Sequence, residues 1–115
     1  NSEMYLAKVS KTGQKLGNDV RLTSADGNSG YPSIDWNGFE YGVSWQDDRA
    51  GNNAIYFTQV SEAGVKNGAD LKVTTGAGAS TFTTALWNGV QFAVSWRDDR
   101  DANTELYFAY IGCPP

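Results

Sequence analysis

The chain repeats itself at a spacing of 51 residues, and this repeat constrains its fold more than any other feature. Residues 1–51 and 52–102 align without insertion or deletion, and 20 of the 51 aligned positions are identical. Residues 103–115 begin a third copy. A period of this length is typical of repeat architectures, in which one unit cannot bury its own apolar face and needs neighbours. We therefore treat residues 1–115 as a single domain of two repeats and part of a third.

The composition indicates a folded, aromatic-rich and weakly charged protein. Hydrophobic residues make up 40% of the chain, aromatic residues 13% and charged residues 19%, which is typical of a globular protein. The net charge is −4 and no basic cluster occurs. We expect no nucleic-acid partner, because such binding depends on Lys and Arg neutralising phosphates. No apolar run approaches the roughly 20 residues that span a bilayer, so we expect no membrane insertion.

The scarcity of histidine and cysteine limits the chemistry that the chain can carry. The sequence has no histidine, and its one cysteine is Cys113. A Ser-His-Asp triad cannot be built within the chain, and the usual ligands of a zinc enzyme are missing. A single cysteine cannot form an internal disulfide, so Cys113 is either a free thiol or pairs with another segment or chain.

Short alternating segments predict four strands in each full copy. Between residues 39 and 46, large apolar residues alternate with polar or small ones, and residues 90–97 repeat the pattern, which indicates a strand. Asn-Gly pairs at 37–38 and 88–89 predict tight hairpin turns. Because no segment has a helical period, the sequence predicts an all-β fold. Nine strands are expected, at 4–9, 19–23, 31–36, 39–46, 54–60, 70–74, 82–87, 90–97 and 105–111.

The predicted strand at residues 54–60 carries apolar side chains on both faces. Ile55 and Phe57 fall on one face, and Tyr56 and Val60 fall on the other. This pattern suits a strand that is covered on both sides.

Three recurring motifs resemble a known kind of repeat. They are W-N-G, then V-S-W-x-D-D-R, then [IL]-Y-F. The set resembles the blade repeats of bacterial and archaeal secreted or surface β-propellers, loosely akin to the TolB-type group. The resemblance implies four-stranded antiparallel blades, about two blades plus an extra strand per chain, and a secreted or cell-surface location. The structural alternative is a nine-stranded β-sandwich.

The number of repeats predicts a need for partners. A closed propeller requires at least about four blades, whereas the sequence holds two complete copies and one further strand at 105–111. Either several copies self-associate into one ring, or this chain pairs with further blades of a longer protein. Strands with apolar faces and unpaired edges aggregate unless something covers them, so we expect one of these assemblies.

The repeated Asp-Asp-Arg motif supports two interpretations. Two adjacent acids with loop carbonyls could bind Ca²⁺, which takes six to eight oxygen ligands. Alternatively, one aspartate caps the turn and the arginine pairs with an acid, which locks the loop. The identical recurrence favours the structural interpretation, because a catalytic carboxylate pair needs two differently tuned environments. The calcium candidates are Asp47, Asp48, Asp98 and Asp99, and the arginines are Arg49 and Arg100.

Repeated aromatic residues are candidates for packing and for ligand binding. Sugar sites place an aromatic face against a pyranose ring and use amides or acids for the hydroxyls. The candidate ligand-binding residues are Trp36 and Trp87, with Asn37 and Asn88 on the adjoining turns. We predict a structural role for Trp45, Trp96, Tyr5, Tyr56 and Tyr107.

These features predict a non-catalytic binding or scaffold module rather than an enzyme. Repeated, equivalent sites suit a lectin-like protein, since avidity multiplies weak binding, and carbohydrate is the ligand we expect. No cofactor is expected apart from Ca²⁺ at the aspartate loops. Two other interpretations stay open. These could be the C-terminal blades of a larger secreted hydrolase whose catalytic residues lie elsewhere, or a purely structural repeat of a surface protein.

Overall fold

The computed structural model describes residues 1–76 and 78–112, and Cys113 lies outside this part of the chain. The described residues form nine β-strands, which confirms the all-β prediction, and they include no helix that could cross a membrane. The strands are β1 (Tyr5–Val9), β2 (Lys15–Arg21), β3 (Ser29–Trp36), β4 (Glu40–Asp47), β5 (Ala54–Ser61), β6 (Leu71–Lys72), β7 (Ser80–Trp87), β8 (Phe92–Asp98) and β9 (Glu105–Ile111).

The strands form three antiparallel sheets whose order follows the repeat. The first sheet pairs β1 with β2, the middle sheet has the order β3-β4-β5-β6, and the third sheet has the order β7-β8-β9. Strands 51 residues apart occupy equivalent places: β1 corresponds to β5 and β9, β2 to β6, β3 to β7, and β4 to β8. Within the described residues, only the middle sheet therefore contains all four kinds of strand.

The middle sheet is covered on both faces, and the hydrophobic core is divided into two clusters. Strand β5 contributes Tyr56 and Val60 to the cluster against the first sheet, and Ile55 and Phe57 to the cluster against the third. Successive side chains of a strand point to opposite faces, so the two-faced prediction for residues 54–60 is confirmed. The first cluster contains Met4, Leu6, Leu22, Val43, Trp45, Ala54, Tyr56 and Val60, and the second contains Ile55, Phe57, Ala85, Phe92, Val94 and Trp96.

The three stacked sheets do not close into a propeller. The sandwich alternative accommodates the same sheets equally well, since both architectures bury apolar strand faces between antiparallel sheets. The architecture of the described residues is therefore an all-β stack of three antiparallel sheets.

The hairpin between β3 and β4 forms, but it is wider than the tight turn that the Asn-Gly pair predicted. The last residue pair of the two strands is 36 with 41, so Phe39 lies in the turn and is 83% exposed. The Oδ1 of Asn37 accepts hydrogen bonds from the backbone N–H groups of Phe39 (2.8 Å) and Glu40 (2.7 Å). A side chain thus closes the turn, and Asn88 closes the equivalent turn in the same way.

The outermost strands also differ from the predicted bounds. β2 begins at Lys15, four residues earlier than expected, and β6 has only two residues. Just after each of these strands, the hydroxyl of a threonine takes the place of a backbone carbonyl as hydrogen-bond acceptor. Thr23 Oγ1 accepts a hydrogen bond from the Met4 N–H at 2.8 Å, and Thr74 Oγ1 accepts one from the Ile55 N–H at 3.0 Å. The strands end here because these side chains satisfy N–H groups that a longer strand would have paired.

Candidate functional site

The Asp-Asp-Arg motif forms a buried cluster at the end of β4. Asp47 is the last residue of the strand, and its side chain is fully buried. Its carboxylate accepts hydrogen bonds from Ser29 Oγ (2.6 Å) and Trp45 Nε1 (3.0 Å). It accepts three more from Arg49, through the backbone N–H (2.9 Å), Nε (3.0 Å) and Nη2 (2.8 Å). One carboxylate therefore joins β3, β4 and the loop that follows.

Arg49 holds this cluster against the next part of the middle sheet. Its guanidinium carbon lies 4.3 Å from the centre of the Tyr56 ring, and its Nη1 lies 3.2 Å from Asp70 Oδ2. Tyr56 also stacks on Trp45, with 6.0 Å between ring centroids. These charge-assisted and cation–π contacts lock the loop between β4 and β5. Tyr5, the counterpart of Tyr56 in the first sheet, is 57% exposed.

The second copy repeats the cluster at the end of β8. Asp98 accepts a hydrogen bond from Ser80 Oγ (3.0 Å) and one from Trp96 Nε1 (3.1 Å). Arg100 donates through its backbone N–H, Nε and Nη2 at 2.8, 3.0 and 2.9 Å. Its guanidinium carbon lies 3.9 Å from the centre of the Tyr107 ring. The motif is thus the same structural device in both copies.

Hydrogen bonding keeps both buried carboxylates ionised. Burial by itself raises the pKa of Asp47, but the hydrogen bonds from Arg49, Ser29 and Trp45 outweigh burial and lower the pKa to about 2. Hydrogen bonds from Arg100 have the largest effect at Asp98, and the pKa of this carboxyl is also lowered. A general acid or base works best with a pKa near the operating pH, so these carboxylates are poorly suited to proton transfer.

The second aspartate of each motif closes a neighbouring loop. Asp48 Oδ1 accepts a hydrogen bond from the backbone N–H of Asn28 at 2.6 Å, and Asp99 Oδ1 accepts one from Ala79 at 2.8 Å. In the part of the chain that the structure describes, no group of three or more His, Cys, Asp or Glu side chains could hold a metal ion. Calcium binding at these loops stays a prediction that the observed contacts do not favour.

The structure brings two of the four candidate ligand-binding residues together. Asn37 and Trp87 line one cleft of about 240 Å³ between the middle and third sheets, which Trp36 and Asn88 do not line. Trp36 packs on Tyr41 instead, with 4.7 Å between ring centroids, and is 39% exposed. The cleft is completed by Gln59, Val90, Gln91, Phe92, Ile111 and Gly112.

This cleft combines an aromatic ring with side-chain amides. The Trp87 ring is positioned by an edge contact with Phe92, with 5.0 Å between ring centroids. Asn37 uses its Oδ1 within its own turn, so its Nδ2 is the group that it can offer to a ligand. Gln59 and Gln91 add two further amides to the lining. Such a set can bind hydroxyl groups while the ring covers an apolar surface.

Sequence reasoning missed the residues that join the middle sheet to the third. Ser33 Oγ accepts a hydrogen bond from the Ala85 N–H at 3.0 Å, and Asp35 Oδ2 accepts one from the Trp87 N–H at 2.7 Å. A threonine and a leucine stand at the equivalent positions 51 residues later. Because these two positions differ between the copies, identity between the repeats does not point to them. The sequence signal that points to them is the alternation of polar side chains, Ser33 and Asp35, before Trp36 of β3.

One face of the third sheet is open to solvent although its counterparts are buried. Leu106 is 82% exposed and Phe108 is 64% exposed, whereas Ile55 and Phe57, at the equivalent positions of β5, are 0% and 2% exposed. Met4 and Leu6 are likewise buried against the middle sheet. A depression of about 250 Å³ on the open face is lined by Thr84, Leu86, Ala93, Val94, Ser95 and Phe108.

Comparison with protein-family models, with curated proteins and with solved structures gives no match for this chain. Its function must therefore be inferred from its own contacts.

Proposed function

We propose that this protein is a non-catalytic binding or scaffold module built of propeller-type blades, and that it forms assemblies outside the cell or at the cell surface. The observation that carries the proposal is the open face of the third sheet. The same kind of face is covered by the next sheet in the first two repeats and is left open in the third. An exposed apolar patch that continues a packing pattern is suited to binding a further unit. The resemblance to secreted and surface blades supports the location.

The Asp-Asp-Arg clusters support a non-catalytic role. Asp47 and Asp98 have lowered pKa values and the same kinds of partner, a serine, a tryptophan and an arginine. Acid–base catalysis by two carboxyl groups requires environments that push their pKa values apart. The two clusters instead lock equivalent loops, so we assign them to the stability of the scaffold.

Assembly through the open face predicts an oligomer that depends on Phe108. We expect native mass spectrometry and light scattering to give a discrete multiple of the 12.5 kDa chain. Phe108→Lys should weaken assembly by roughly tenfold or more, because burying an unpaired charge is costly. The folded monomer should survive this change, because Phe108 is 64% exposed in it.

Val65→Lys is the matched control for this experiment. Val65 is 64% exposed, as is Phe108, but it lies between β5 and β6, away from the open face. We expect this variant to keep the mass distribution of the original protein. A protein that is monomeric at every concentration, or an equal loss with both variants, would contradict assembly through the open face.

Carbohydrate is the ligand class that the cleft between the middle and third sheets suits best. Trp87 supplies an aromatic surface, and Asn37, Gln59 and Gln91 supply amides around it. Sugar hydroxyls and the apolar face of a pyranose ring match this combination. One such cleft per chain would bind weakly, so assembly of several chains would raise the avidity.

Isothermal titration with common mono- and oligosaccharides tests the carbohydrate proposal. We expect Trp87→Ala to abolish binding, because it removes the aromatic surface of the cleft. Trp36→Ala, at the equivalent position of the preceding repeat, should leave binding unchanged when both variants are compared in the Phe108→Lys background, because Trp36 does not line the cleft of a single chain. If none of the sugars binds, the carbohydrate proposal is contradicted, and the proposed scaffold role is unaffected.

A further inference from the structure

We infer that a second copy of this chain completes the third sheet. Residues 15–47 of the second copy dock onto the sheet, and β9 takes the place of the second copy's β1. This inference rests on the proposed assembly and specifies its partner and binding mode.

The middle sheet shows how a sheet of this kind is completed. β6 pairs with the outer edge of β5, and the strands that follow, β7 and β8, cover the face that carries Ile55 and Phe57. One stretch, residues 66–98, therefore closes the edge and covers the face. The equivalent stretch 51 residues earlier is 15–47, which contains β2, β3 and β4. Each copy of the chain thus carries a segment of the right kind for the third sheet of another copy.

The depression on the third sheet corresponds to one side of the junction between the middle and third sheets. Its lining includes Leu86, Ala93 and Phe108. The counterpart of Ala93 is Gly42, which lies so close to Phe92 that an added Cβ would be 2.6 Å from the ring. The middle sheet therefore receives an aromatic ring at this position, whereas the Cβ of Ala93 on the third sheet requires an incoming ring to lie further away.

A second open cleft corresponds to the other side of that junction. It has a volume of about 210 Å³, lies between β1 and β3, and is lined in part by Pro32, Ile34 and Val43. Residue 43 is equivalent to Val94 and residue 34 to Ala85, and both of these side chains are buried in the cluster against the middle sheet. This cleft and the depression on the third sheet thus correspond to the two halves of a contact that the chain makes once internally. Bringing together the depression of one copy and the cleft of another would form an equivalent contact, in which the second copy's Tyr41 takes the place of Phe92 and lies further from Ala93 than Phe92 lies from Gly42.

The proposed contact between the third sheet of one copy and the middle sheet of the second copy is called the new junction. The residues that differ between the repeats are compatible with hydrogen bonding there. Within the chain, the N–H of Trp87 needs Asp35 Oδ2 as its acceptor, because residue 86 is leucine. The N–H of Trp36 is satisfied by its own Asp35 Oδ1 at 3.0 Å. A second copy can therefore place Trp36 next to Leu86 without leaving a backbone donor unpaired.

The two flanking positions are also accommodated. Thr84 stands where Ser33 stands in the middle sheet, and its hydroxyl can accept a hydrogen bond from the N–H of the second copy's Ile34. Arg97 replaces Gln46 and cannot accept a hydrogen bond. The bond that Gln46 makes, to the Phe82 N–H at 3.1 Å, is exposed, so water can replace it at the new junction.

Docking requires one strand to be displaced, because β9 of one copy and β1 of the next would both pair with the same edge of the second copy's β2. β9 stays in its own sheet through seven residue pairs with β8 whether or not a second copy docks. β1 pairs with β2 at four positions that are interrupted by a register shift, with further hydrogen bonds from Met4 to Leu22 and Thr23, and these are the contacts that the exchange replaces. β9 also presents Phe108 and Tyr110 where β1 presents Leu6 and Lys8.

The exchange replaces one strand pairing with another, and it buries Leu106 and Phe108 of β9 in place of Met4 and Leu6 of the released β1. β2 loses β1 and gains β9, so one ladder replaces another. The packing of β7 and β8 on the second copy's β3 and β4 is additional. Exchange of an equivalent element between copies is a low-cost route to association. A ring of such copies contains two complete four-stranded sheets per chain.

Cysteine cross-linking in a Cys113→Ser background tests the exchange. Within one chain, Lys8 pairs with Leu16. The exchange places Tyr110 opposite the second copy's Leu16 instead. Tyr110 and Leu16 of the same chain lie in the third and first sheets, on opposite sides of the middle sheet. With sheets about 10 Å apart, they are beyond the roughly 7 Å between Cα atoms that a disulfide tolerates.

We expect the pair Tyr110→Cys with Leu16→Cys to give covalent dimers and higher species under mild oxidation. The pair Lys8→Cys with Leu16→Cys is the matched control and should form little disulfide in the oligomer. An oligomer in which only the control pair closes, within one chain, would overturn the exchange and leave assembly through another contact. A monomer in which only the control pair closes would overturn both the exchange and the proposed assembly.

Discussion

At the scale of single residues, the repeat preserves a buried carboxylate together with its donors. Asp47 accepts hydrogen bonds from a serine at the start of β3, a tryptophan of β4 and an arginine of the next loop, which together form one cluster. A buried carboxylate is stable only when its oxygens are hydrogen-bonded. The positions that supply the donors, Ser29, Trp45 and Arg49, are therefore identical in the second copy.

The lowered pKa of Asp47 predicts acid sensitivity. A carboxyl whose pKa is about 2 when folded, against 3.8 as its ordinary value, contributes stability that is complete above pH 3.8. This stability is lost as the pH falls through about 2, and it amounts to about 2 kcal/mol. We expect urea unfolding measured between pH 5 and pH 2, a range set by these two pKa values, to show this loss of unfolding free energy. Asp47→Asn should make the free energy of unfolding depend less steeply on pH. The exposed Asp26→Asn is the control, and an unchanged slope for Asp47→Asn would contradict the assignment.

At the scale of secondary structure elements, side-chain periodicity predicted the strands well and their ends poorly. The period of two in residues 39–46 and 90–97 identified β4 and β8. The predicted first residues, Phe39 and Val90, are nevertheless exposed in turns. Strand ends depend on single hydrogen bonds, such as those that Asn37 makes in its turn and that Thr74 accepts beside β6. Periodicity carries no information about such bonds.

Close packing between two strands of different sheets predicts that Gly42→Ala is destabilising. The added Cβ would lie 2.6 Å from the Phe92 ring, so the middle and third sheets would have to separate. We expect a loss of about 1–3 kcal/mol in the free energy of unfolding, which is typical of an overpacked core. Gly30→Ala is the control within the same sheet, because nothing lies within 4 Å of its added Cβ. Equal stability of the two variants in urea unfolding would show that the sheets are not packed this closely.

At the scale of the whole molecule, residues that are not repeated decide how the sheets join. The carboxylate of Asp35 accepts hydrogen bonds from the backbone N–H groups of both Trp36 and Trp87, and so it connects β3 to β7. Its counterpart Leu86 lies on the open face and is 57% exposed. The internal junction and the open face are therefore chemically different, although the strands that form them are equivalent.

The junction predicts that Asp35→Leu destabilises the folded chain. The change leaves the N–H of Trp87 without its acceptor, which costs about 1–3 kcal/mol. Thermal unfolding in the Phe108→Lys background measures this cost without a contribution from assembly. Leu86→Asp is the reciprocal control and should change stability little, because residue 86 is exposed. A similar loss in both variants would contradict the assigned role of Asp35.

The sequence by itself determined the all-β class, the 51-residue unit and the two faces of each strand, because these follow from local periodicity and internal identity. Only the tertiary structure decided which faces meet, since that depends on contacts between residues far apart in the chain. It placed Asn37 of one repeat beside Trp87 of the next, in a single cleft. It also buried Phe57 and left its counterpart Phe108 exposed. Equivalent strands have the same pattern, but whether a face is buried depends on the neighbour that packs against it.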